Sequence, residues 1–193
     1  LKAVRILKEV LCVIVPKGRE EGSSLALSIV RKALSLDGKE IVETHFPMRK
    51  TVQSSEFKVQ SETTNDLNGK WDEIVDVVLR LLDRGMDAAF ITIGDPAIYS
   101  TFFYLYDRLL ERRPSLSIEM VPGISSINAA AARAGMSLGL GNERIAILPA
   151  NYLENLQETL EQFDTVVLMK VNKVFGEVRD MLKRTGLSSN AVY

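Results

Sequence analysis

The chain has 193 residues, 46% of them hydrophobic and 25% charged, enough to bury one large core or two compact ones. Its 24 Lys and Arg against 25 Asp and Glu leave a formal charge of -1, which argues against a whole-surface preference for nucleic acid or anionic membrane. A single cysteine excludes a disulfide framework; one His with one Cys cannot build a typical His/Cys metal site; and no apolar run approaches the roughly 20 residues that span a bilayer.

In chain order, LKAVRILKE opens as a helix whose charges interrupt the apolar core that a signal peptide needs, so the expectation is a soluble cytoplasmic protein. This helix has neither a cap nor a preceding strand, and NAVY stops as a strand begins; the chain reads as cut at both ends. LCVIV follows as a buried strand in which Cys12 reads as a small core residue. SSLALSIVRKAL has a helical period that places Leu25, Ile29, Val30, Ala33 and Leu34 on one face, with Ser23 or Ser24 as cap. KEIVETH reads as the next strand, and the polar stretch TVQSSEFKVQSETTNDLNGK as an ordinary surface loop or a lid. GKWDEIVDVVLRLLDRG predicts a helix that buries Trp71, Ile74, Val75, Val78 and Leu82 and stops at Gly85. AAFITI, SIEMV, RIAIL and TVVLM complete the strands. Strand and helix alternate almost throughout, so the fold class is α/β with largely parallel strands. The Pro122-Gly123 punctuation divides it into domains over residues 1–121 and 122–193.

Ligands of open α/β sheets bind at the carboxyl ends of strands, and ITIGDPAIYS is such a place. Gly94 lets a ligand approach the backbone, Pro96 stiffens the turn, and Asp95 brings a negative charge that disfavours phosphate. No G-x-G-x-x-G or G-x-x-x-x-G-K-[ST] spacing occurs, so a ligand with positive charge or with amino and hydroxyl donors fits better. Asp95 reads equally as the opening of a helix. Tyr99, Ser100 and Thr101 then crowd polar atoms into the first turn, before Phe102, Phe103, Tyr106, Leu109 and Leu110 resume a buried face. EMVPGISSINAAAARAG repeats the device, with Ser125 and Ser126 as caps or as the opposite wall of one cleft.

GDPAIYST, EMVPGISS, ERIAILPA and VVLMK, in this order and at these intervals, resemble the tetrapyrrole methylase family of S-adenosylmethionine-dependent methyltransferases. YSTFFYL, HFPM and ILPA look most like its precorrin-2 carbon-20 methyltransferases of cobalamin synthesis. The resemblance implies two α/β domains, a mainly parallel amino-terminal sheet and a mixed carboxyl-terminal one, with the donor in the cleft between them, and a homodimer. By similarity, Ile93, Gly94 and Asp95 contact the donor's methionine part with Ile98 and Thr101 beside them, Ser125 and Ser126 lie on the facing wall, and Ala150, Met169 and Lys170 match the adenosine side. Departures are the absence of a first strand with its G-x-G-x-G-D-P loop, and an end before the second domain's last strands. Uroporphyrinogen, later-corrin and diphthine methylation are the alternatives within the family, and a non-catalytic donor-binding protein is the alternative outside it.

The donor's sulfonium is already activated, so positioning and desolvation carry the reaction and no catalytic nucleophile or base is assigned. The many carboxylates of a tetrapyrrole favour Arg and Lys, which makes Lys17, Arg19, Arg49 and Lys50 substrate candidates; each also reads as an ordinary surface charge. His45, the only histidine, reads as structural or substrate-lining.

Overall fold

The computed structural model describes residues 2–17, 24–45, 61–150 and 155–193. The chain divides into two compact units, Leu1–Gly123 and Ile124–Tyr193.

The first unit is built on three parallel strands, β1 (Cys12–Lys17), β2 (Glu40–His45) and β3 (Ala88–Phe90), in the order β2-β1-β3. The central position of β1 explains its unbroken apolar run: Cys12, Val13, Ile14 and Val15 are all buried, because helices cover both faces. Cys12 and Ile14 join one core with Trp71, Ile74, Val75, Val78 and Leu81 of α3 (Ser61–Asp83) and Leu105 and Leu109 of α4 (Phe103–Arg112). Val13 and Val15 point the other way, onto Leu7 of α1 (Lys2–Glu9) and Ala26 and Leu27 of α2 (Leu25–Ala33). Alternate residues of one strand therefore serve two cores.

Several local expectations are met by named contacts. Ser24 caps α2 by accepting from the Leu27 amide at 3.4 Å. Gly85, at φ 73°, takes the left-handed conformation that ends α3 and donates to Leu82 O at 2.9 Å. Four others are corrected. Helix α2 presents Ala26, Leu27 and Val30 to the core, joined by Leu34 just past its end, while Leu25, Ile29 and Ala33 are exposed. The α3 helix already covers residues 61–70, half of the expected loop; residues 51–60 lie outside the described ones. Extending an amphipathic helix adds one hydrogen bond per residue ordered, so its polar first turns follow from the apolar turns behind them. On α4 the buried face is Leu105 and Leu109; Phe103 is half-exposed. Residues 117–121, expected as a strand, join no ladder, and Leu116 and Ile118 are held by side-chain packing on the α3–α4 core instead.

In the second unit β4 (Ile145–Pro149) pairs in parallel with β5 (Thr165–Met169), so the mixed sheet expected there is not present among the described residues. Ala150 and Leu156, the latter opening α6 (Leu156–Gln162), pack with Val174 and with Val178 of α7 (Phe175–Arg184). Helix α5 (Ser126–Ala134) begins the unit. Among the described residues no helix is long and apolar enough to cross a membrane, and no group of His, Cys, Asp or Glu could hold a metal ion.

Candidate functional site

Beyond β3 the chain stays beside β1 for one more bond, Ile91 N to Ile14 O at 3.1 Å, and then leaves the sheet. Gly94 takes φ 79°, and Asp95 closes the turn: its Oδ1 accepts the Ala97 amide at 2.8 Å and its backbone carbonyl accepts the Ile98 amide at 3.3 Å. Ser100 Oγ accepts the Phe102 amide at 3.2 Å, and Thr101 O accepts the Tyr104 amide at 3.2 Å as α4 begins. Ile93 and Tyr99 remain exposed at the turn, and Ile98 and Thr101 are half-buried.

The Pro122-Gly123 turn meets this one directly. Gly123 N donates to Asp95 Oδ2 at 3.0 Å, and a Cβ on Gly123 would sit 2.1 Å from Gly94 O, so the two backbones touch where a side chain has no room. The close approach that glycine permits here is between two protein segments. The amides of Ala97, Ile98, Phe102 and Gly123 are all engaged within the protein, and residues 91–102 carry one carboxylate and no Lys or Arg. An anion would find no cation along residues 91–102 to balance its charge.

The other expected residues are distributed as follows. Lys17 and His45 lie opposite each other in the β1–β2 register at the carboxyl ends of their strands. Lys17 Nζ pairs with Glu43 Oε2 at 2.7 Å, so its charge is partly neutralised by a carboxylate that sequence reasoning did not consider. Thr44, between them in β2, faces the other side of the sheet, and its buried hydroxyl has no hydrogen-bond partner among the described residues. Arg19, Arg49, Lys50 and the segment after His45 lie outside the described residues. In the second unit Ser125 is the buried cap of α5, accepting the Asn128 amide at 3.3 Å and donating to Asn128 Oδ1 at 2.6 Å; Ser126 is exposed. Ala150, Met169 and Lys170 come together at one strand end, where Ala150 N donates to Met169 O at 2.7 Å and exposed Lys170 turns the chain at φ 61°.

Two features of the site were missed. The Asp95–Gly123 bond joins residues 28 positions apart, a pairing that no local pattern specifies. Tyr99, at φ 52°, occupies a left-handed conformation that a bulky residue rarely adopts, and nothing in the local pattern announces it.

The profile of the Tetrapyrrole (Corrin/Porphyrin) Methylases matches residues 1–193. The chain belongs to this family. Among its relatives within the tetrapyrrole methylases, the probable cobalt-precorrin-2 C(20)-methyltransferase of Methanocaldococcus jannaschii is 35% identical over 90% of this chain and 66% of its own length. The cobalt-precorrin-2 C(20)-methyltransferase of Salmonella typhimurium is 33% identical over 97% of this chain and 73% of its own. The chain thus spans about two thirds to three quarters of these relatives. The crystal structure of a cobalt precorrin-4 methyltransferase, a cobalamin biosynthetic enzyme, superposes with a TM-score of 0.66 at 20% identity, covering 97% of this chain and 69% of that one, which establishes the shared fold.

Proposed function

We propose that this tetrapyrrole methylase transfers a methyl group from S-adenosylmethionine to carbon 20 of precorrin-2, in its cobalt-bearing form, within cobalamin biosynthesis. The observation that carries this reading is the agreement, over 90% and 97% of the chain, with two relatives named for that reaction. The turn that follows β3 is consistent with it, since residues 91–102 carry one carboxylate and no Lys or Arg.

S-adenosylmethionine supplies a methyl group already activated on a cationic sulfur. What the chain adds is placement: Ile93, Gly94, Ile98 and Thr101 line the methionine part, and Asp95 holds their turn in shape. Orientation of two reactants can lower a barrier by about 7 to 11 kcal/mol in favourable cases, so no side-chain nucleophile is required. Lys17 and His45, on one face of β1 and β2, serve the acceptor's carboxylates together with Arg19 and Arg49; Glu43 tempers the charge of Lys17. We further read the protein as a cytoplasmic homodimer, in keeping with one buried cysteine and the family resemblance.

The test is to incubate the full-length protein with S-adenosylmethionine and precorrin-2, with and without cobalt, and to follow product mass. One added methyl on the cobalt form is expected. Methylation of uroporphyrinogen or of a later corrin instead would overturn the assignment of acceptor.

A further inference from the structure

Asp95 offers two explanations for its position, and they differ in how it would act on a donor. As a charge, it would attract the sulfonium. As a double acceptor, it ties together two segments 28 residues apart in sequence. The geometry favours the second. Each carboxylate oxygen already receives a backbone amide, Oδ1 from Ala97 at 2.8 Å and Oδ2 from Gly123 at 3.0 Å. Both lie within the ordinary range of N–H···O hydrogen bonds, and with an ionised acceptor the amide dipoles absorb part of the negative charge. The contact is also sterically shaped for this purpose: Gly94 at φ 79° brings its carbonyl to Gly123, where any Cβ would collide with that oxygen at 2.1 Å. Neither residue 94 nor residue 123 tolerates a side chain, for separate reasons, and the carboxylate between them bonds to the second.

We propose that Asp95 is a positioning residue: its two oxygens clamp the Gly94–Ala97 turn onto the Pro122-Gly123 turn, and it serves donor binding through the backbone it fixes, not through its charge. This rests on the donor assignment made under Proposed function. Four candidate donor contacts, Ile93, Gly94, Ile98 and Thr101, lie within six residues of Asp95 along the chain and inherit their placement from the clamped turn.

The experiment compares a cationic and a neutral ligand of the same shape. S-adenosylmethionine carries a sulfonium, and S-adenosylhomocysteine carries a thioether. Affinities of the full-length protein for both are measured by calorimetry for wild type and Asp95→Asn, with amide hydrogen exchange followed at Gly123 and Ala97. An Asn side chain keeps one acceptor oxygen but turns an NH2 group toward the other amide, so one clamp bond is lost at almost unchanged volume. The expected result is a fall of about ten-fold in affinity for both ligands, a ratio between them unchanged within about two-fold, and faster exchange at Gly123 or Ala97. A selective loss of S-adenosylmethionine affinity, with the thioether unaffected, would overturn the proposal and make Asp95 a charge partner. Unchanged exchange at both amides would overturn it as well. Gly123→Ala breaks the same junction without touching the carboxylate, and its folding is checked by exchange protection of β1. It should weaken both ligands in parallel, and selectivity for either one counts against the clamp. A wild-type protein that binds neither ligand removes the donor assignment itself, a result distinct from any change of ratio.

Discussion

Glycine and cysteine each show at residue scale how much depends on surroundings that composition does not reveal. Gly94 is needed for its left-handed φ of 79°, whereas Gly123 is needed for space, since only a missing Cβ avoids the Gly94 carbonyl. Cys12 is fully buried in the α3–α4 core, and burial, followed by the negative charge of Glu40, raises its thiol above the ordinary value of 9.0. A thiol with a raised value keeps its proton in the folded protein at a pH where the unfolded chain has released it. Its contribution to stability is therefore complete below that ordinary value, and declines as pH rises from there through the folded value. Denaturant titrations of wild type and Cys12→Ala between neutral and strongly alkaline pH check this. The wild type should lose stability faster than the variant on the alkaline side, and parallel curves would refute the coupling. At neutral pH the thiol should also resist a small aromatic disulfide reagent until the unit unfolds.

At the scale of elements, burial outweighs the visible charges. Helices α3 and α4 are joined by an outer row of ion pairs, Arg108 with Asp72, Arg112 with Asp76 and Arg113 with Asp83, and by an inner face that includes Leu105. The Arg112–Asp76 pair is 2.6 Å long, but its side chains are 42% and 46% exposed, so water and salt screen it. Arg112→Ala should cost about 0.2 to 1 kcal/mol, and less in high salt. Leu105→Ala, at a site only 1% exposed, should cost about 2 to 5 kcal/mol. Urea unfolding at two ionic strengths separates them, and a larger loss for the arginine would reverse this ranking. The same logic marks what was legible. The run at β1 and the period of α3 could be read because one pattern dominated each: unbroken β-branched residues in the first, and Trp71, Ile74, Val75 and Val78 in the second. Helix α2 could not be phased, because LALSIV is apolar nearly all round and Leu25–Ile29 competes with Leu27–Val30–Leu34 for the core. Residues 117–121 read as a short buried strand from their apolar residues, yet pairing depends on a neighbour that local sequence does not specify. At the candidate site, the turns at 94–96 and 122–123 were legible from Gly and Pro; the bond between them was not, since it joins residues far apart in the chain.

Taken as a whole molecule, the two units differ in how much they bury. Among the described residues, the first has sixteen buried side chains in two clusters, one on each face of a three-stranded sheet. Among the described residues the second has a single cluster of four, beside a pair of strands in which every residue of β5 is partly exposed and Ile145 and Ile147 of β4 are 43% and 40% exposed. Opening free energy follows buried apolar contact, because exchange from a strand requires its side chains to leave the core. The order of opening is therefore set by the cores and not by hydrogen-bond count, since both sheets satisfy their ladders in the same parallel manner. Amides of Val166–Leu168 should exchange at least about ten-fold faster than those of Val13–Val15 in this chain, a difference of about 1.4 kcal/mol in opening free energy. Residue-resolved hydrogen exchange measures this. Equal or slower exchange in β5 would mean that packing other than the Ala150, Leu156, Val174 and Val178 cluster supports those strands.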